Sequence, residues 1–173
     1  MPKCNNRFSL KALAAAVSAT VALGVVALPT LSHADETACS PFTPLIKGQE
    51  DLVYVWTLGV EGIGDGSDKL VTVDVRPGSK TFGKVINSLS VGGRGEAHHM
   101  GFSDDRRYMW AGALDSNKMF VFDIGTDPSK PKLVRTITDL VEKTGYVAPH
   151  TFYALPGRMM IQALCNAKDH ADV

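Results

Sequence analysis

An internal repeat constrains this chain more than any other feature. Ala97-His98-His99-Met100-Gly101-Phe102 lies over Ala148-Pro149-His150-Thr151-Phe152-Tyr153 at an offset of 51 residues. His99 falls on His150, Phe102 on Tyr153, Arg107 on Arg158 and Met109 on Met160, without a gap. A second match sits just outside the first: Lys69-Leu70-Val71-Thr72-Val73-Asp74-Val75 lies over Lys118-Met119-Phe120-Val121-Phe122-Asp123-Ile124 at an offset of 49. Each of these is followed by a proline-containing loop and a further short run, residues 84–89 and 132–137. Self-similarity at a period of about 50 residues marks a repeat architecture. A four-stranded unit of that size is the blade of a β-propeller.

The rest of the sequence agrees with an all-β chain. Short β-branched and aromatic runs are expected as strands at 52–58, 69–75, 84–91, 99–103, 108–114, 118–124, 132–137, 150–155 and 158–164. Their length and close spacing exclude βαβ units. Asp104-Asp105-Arg106, Asp115-Ser116-Asn117 and Pro156-Gly157 break the runs as turns. Residues 139–144 alone read as a helical turn, and the glycines from Gly59 to Gly66 read as a turn insertion. With no helix behind it, that glycine stretch is not a phosphate-binding loop.

Lys3, Arg7 and Lys11 precede an uncharged run from Ala12 to Leu28, and Ser32-His33-Ala34 follows. These are the parts of a secretory signal peptide, so residues 1–34 are expected to be cleaved and the protein to be periplasmic. No other segment is apolar enough to span a bilayer, so no membrane association is expected after cleavage. Roughly 140 residues then remain, fewer than three repeats of this period. A propeller usually needs at least about four blades. The chain is therefore expected to be the N-terminal part, 35–173, of a longer propeller, and inactive alone.

Acidic and basic residues number 18 each, which leaves no electrostatic case for nucleic acid or an anionic membrane surface. Export permits a disulfide between Cys39 and Cys165, yet the spacing equally allows lone thiols. The aligned histidines carry the clearest chemistry. In a propeller the inner strand of each blade lines the channel, so His99 and His150 would project toward one axis from adjacent blades. Imidazoles meeting in an exported protein suit copper or zinc. The pattern alone also allows hydrogen-bonding histidines with no metal. By strand alternation His98 would point away from His99, unless the strand begins with a bulge. No Asn-x-Ser/Thr sequon and no Ser-His-Asp arrangement is present.

The stretch GEAHHMGFSDDRRYMWAGALDSNKMFVFDIG, with PHTFYALPGRMMIQAL after it and LVTVDVRPGS before it, resembles the selenium-binding protein family. Within that family it is most similar to the bacterial exported branch of methanethiol oxidases, from about Cys39 to Asn166. The resemblance implies a seven-bladed propeller about two and a half times the length of this chain. It also implies oxidation of methanethiol by O2 and water to formaldehyde, hydrogen sulfide and hydrogen peroxide, with copper as cofactor. On these positions it implies His99 and His150 as metal ligands, with His98 next and others from further blades. A selenium- or metal-binding propeller without turnover is the alternative, and a scaffold whose histidines only hydrogen-bond is a third. One departure stands out: where animal members carry a selenium-linked cysteine after the VTVDV strand, this sequence has Gly83.

Overall fold

The structure is a computed structural model that describes residues 50–169, all within one compact unit. The expected leader, Cys39 and His170 lie outside the described residues. Among the described residues, nine strands form three antiparallel sheets, and none of the sheets closes into a barrel. Sheet 1 holds β1 (Leu52–Thr57), β2 (Lys69–Asp74) and β3 (Val85–Ser90) in sequence order. Sheet 2 holds β4 (Ala97–Phe102), β5 (Tyr108–Ala113), β6 (Lys118–Asp123) and β7 (Lys132–Ile137), again in sequence order. Sheet 3 pairs β8 (Tyr146–Leu155) with β9 (Arg158–Asn166). A single helical turn, α1 (Leu140–Thr144), links sheets 2 and 3 and ends on Gly145 in the left-handed conformation. Among the described residues no helix is long and apolar enough to cross a membrane.

The sequence repeat is also a structural repeat. The 49-residue match superposes β2 on β6 in strand order, so β3 corresponds to β7 and β1 to β5. Both matched strands end on the same device. Asp74 accepts from the Arg76 backbone N–H at 2.9 Å, and Asp123 from that of Gly125 at 3.0 Å. These are aspartate-initiated turns, in which the carboxylate binds the backbone two residues on. Hydrogen bonds from Arg76, Ser79 and Thr81 hold the Asp74 carboxyl well below the usual carboxylate range. Sheet 2 has a strand, β4, inside β5. A cleft of about 680 Å³ lies between Leu52, Val53 and Tyr54 of β1 and Met100 and Phe102 of β4.

The core lies between sheets 1 and 2. Leu70, Met109, Ala111, Ala113 and Phe122 are all fully buried there. Trp56 reaches over from β1 and packs on Phe120 and Phe122 at ring-centroid distances of 5.6 and 5.8 Å. Its indole N–H donates to the Gly112 carbonyl at 2.8 Å, which satisfies the one polar atom of an otherwise apolar side chain.

Two expectations need correction. Strand β8 begins at Tyr146, well ahead of His150, and runs through Pro149. Proline lacks an N–H but is tolerated in an edge strand, and β8 pairs on one side only. The turn at Asp104-Asp105-Arg106 also does more than break a run. Asp104 accepts from the Gly157 N–H at 2.9 Å, tying the two matching hairpin tips together. Arg106 pairs with Glu50 at 2.9 Å and lies over the Phe102 ring.

Candidate metal centre

The chemistry of the site begins with two irregularities in strand pairing. In β4, Ala97 pairs with Ala113 and Met100 with Ala111, so His98 and His99 together stand opposite the single residue Gly112. In β8, Pro149 pairs with Ala163 and Phe152 with Ile161, so His150 and Thr151 stand opposite Gln162. Two residues facing one is a β-bulge, which breaks the period of two and re-aims side chains. The bulge cancels the alternation that would have sent His98 away from His99. Neither His99 nor His150 opens its strand, since each sits a few residues inside it.

The two bulges face each other because β8 packs against β4 and β5. That approach is close enough to require glycine. A Cβ on Gly112 would lie 2.7 Å from the Pro149 carbonyl oxygen, and one on Gly101 would lie 2.7 Å from that of Phe152. Sequence reading did not single out either glycine, although both lie within the repeated hairpin.

The result is a triangle of imidazoles. Ring centroids are 4.7 Å apart for His98 and His99, 4.7 Å for His98 and His150, and 4.0 Å for His99 and His150. One nitrogen from each ring lies within 4.8 Å of the others. Nitrogens that share an ion at about 2 Å stand roughly 3–4 Å apart, so small side-chain rotations would bring all three onto one ion. His98 and His99 are exposed and His150 is half-buried. The Thr151 hydroxyl lies 2.9 Å from His150 Nδ1, a contact that helps to orient the ring.

The electrostatics favour a neutral donor. Burial, then the neighbouring His99 and His98, push the His150 pKa down, so its uncharged form is preferred. Close by, the Glu96 carboxyl is pushed up, first by its hydrogen bond with Asp115 and then by burial. An all-imidazole donor set of this kind fits copper or zinc. Cys165 is a half-buried free thiol on β9. Gly83 lies in the turn before β3 rather than in a strand, with φ of 73° and its N–H on the Asp74 carbonyl. A cysteine in that left-handed conformation would be strained.

The chain is similar to several known proteins. A model of the 56 kDa selenium-binding protein family (SBP56) matches residues 32–172, a span that holds all three histidines. The chain is 64% identical over 151 residues to a methanethiol oxidase of Hyphomicrobium sp, covering 87% of this chain and 34% of that protein. It is 62% identical over 144 residues to a methanethiol oxidase of Ruegeria pomeroyi, covering 83% of this chain and 33% of that one. A crystal structure of a hypothetical selenium-binding protein from Sulfolobus tokodaii is similar at a TM-score of 0.65 and 29% identity, covering 73% of this chain and 31% of that one. The chain thus spans about a third of the length of the relatives it matches.

Proposed function

The chain belongs to the 56 kDa selenium-binding protein family, and from that premise we propose that its sheets are blades of a seven-bladed propeller built around a copper-dependent methanethiol oxidase centre. The observation that carries the reading is the convergence of His98, His99 and His150 from two repeats onto one point. High identity to two proteins named methanethiol oxidase supports the substrate. The apolar side chains left open on the two outer sheets, Val53 and Val55 on β1 and Tyr153 and Met160 on sheet 3, support continuation of the propeller. The basic, apolar and small-residue segments of 1–34 support export to the periplasm.

In this reading His98, His99 and His150 would hold the metal, with the Thr151 hydroxyl 2.9 Å from His150 Nδ1 steadying that ring. Copper, when bound, supplies a soft, redox-active centre suited to a thiolate and to passing electrons to dioxygen. The exposure of His98 and His99 leaves the open side to a small thiol and O2. The overall change balances: methanethiol, dioxygen and water, one of each, give one formaldehyde, one hydrogen sulfide and one hydrogen peroxide.

The test follows headspace methanethiol and copper content together in the purified full-length protein. Consumption should scale with bound copper. Metal-free protein that still consumes methanethiol would refute the copper centre, and copper-loaded protein inert toward methanethiol would favour binding without turnover. A pH series adds a second check. A metal displaces the proton from each imidazole it binds, so protons compete with it. Copper retained after desalting should hold at neutral pH and fall below the ordinary imidazole value of about 6.5. Retention that is flat from about pH 7 to 5 would count against imidazole ligation.

A further inference from the structure

We propose that Asp68 and Asn117 are positioning residues for the histidine cluster, each stapling one sheet to the backbone just ahead of the next sheet's histidine. The proposal rests on the reading of the cluster as a metal centre. The two side chains occupy matching places. Asp68 immediately precedes β2 and Asn117 immediately precedes β6, which extends the 49-residue repeat by one position. Both reach forward along the chain. The fully buried Asp68 accepts from the Gly95 N–H at 2.9 Å with one oxygen, and from the Gly59 N–H at 2.8 Å with the other. Asn117 accepts from the Ala148 N–H at 2.7 Å.

The gripped positions are the ones that need gripping. Gly95 lies three residues before His98, and Ala148 lies two before His150. Each gripped segment carries a non-glycine residue in the left-handed region, Glu96 just ahead of β4 at φ 64° and Ala148 within β8 at φ 58°. Such conformations persist only where surrounding contacts impose them. Backbone bonds from the Leu114 and Asp115 N–H groups to the Glu96 and Gly95 carbonyls hold the bend from within sheet 2, and Asp68 adds the link to sheet 1. The bend that each staple holds sets the direction in which the following bulge throws its imidazole. Sheet 2 therefore fixes His150 through Asn117, and sheet 1 fixes His98 and His99 through Asp68.

The experiment uses the full-length protein loaded with Cu(II), read by its EPR spectrum and by affinity against a competing chelator. Asn117→Gly removes the acceptor while relaxing the positive φ of 54° at that position. Asn117→Asp keeps an oxygen in place. His150→Ala reports what loss of the ligand itself looks like. The glycine variant should move the spectrum toward that of His150→Ala and lower affinity about 10–100-fold, while the aspartate variant restores both. A glycine variant with wild-type spectrum and affinity would overturn the staple. If it does not fold, Asn117→Ser, with a shorter acceptor, takes its place: a shifted spectrum supports the proposal and an unshifted one overturns it. A His150→Ala protein that keeps the wild-type spectrum would instead refute the metal centre beneath it.

Discussion

Replacing His150 with alanine is expected to lower the copper affinity of the full-length protein at least about 100-fold and to abolish methanethiol consumption. Loss of an outer contact to a ligand commonly costs about 10–100-fold in metal affinity, and loss of the ligand costs no less. Within the described residues His150 is the sole donor from sheet 3, whereas His98 and His99 are neighbours on one strand. Among the described residues its removal leaves only the two donors of the β4 bulge, and the cluster loses its one imidazole from sheet 3. The fold should tolerate the change, because the ring is half-buried at the rim rather than in the core. Copper per protein after dialysis against a chelator reads the effect directly, and wild-type copper content would contradict the assignment.

Phe122→Ala is expected to have the largest effect on stability, about 3–5 kcal/mol. Phe122 is fully buried on β6, opposite Met109 of β5. Its ring also meets Trp56 of sheet 1 at 5.8 Å and 60°, so it fills the join between two sheets. Truncation leaves a cavity bounded by strand ladders on both sides, which limits how far the site can collapse. The same cavity removes support from the indole that caps the Gly112 carbonyl, directly across from the histidine bulge. Urea unfolding of the full-length protein should show the loss, and a change below about 1 kcal/mol would mean that Phe122 does not join the sheets.

The strands were legible because β-branched and aromatic residues at period two, cut by Asp, Asn, Gly and Pro, leave few other readings. The repeat further identified His99 and His150 as equivalents before any geometry was known. What escaped was set by backbone pairing rather than by side-chain pattern. A bulge is one extra residue between two partners, and Ala97-His98-His99-Met100 looks the same whether or not its partner strand skips a place. His98 could therefore be placed beside His99 only conditionally. Pro149 hid the start of β8, since a proline excludes a central strand but not an edge. Gly101 and Gly112 look like weak points in strands until the closeness of β8 shows why a side chain cannot fit there. The staples from Asp68 and Asn117 were invisible for a similar reason. A polar residue ahead of a strand reads as turn chemistry, and only the fold reveals that its acceptor serves the next sheet.

One claim underlies the rest: His98, His99 and His150 share a metal ion. Anomalous diffraction at the copper edge, from crystals of the copper-replete full-length protein, tests it most directly. A peak is expected about 2 Å from a nitrogen of each of the three rings. A peak bound by other side chains, or copper-replete protein with no peak at this triangle, would contradict it.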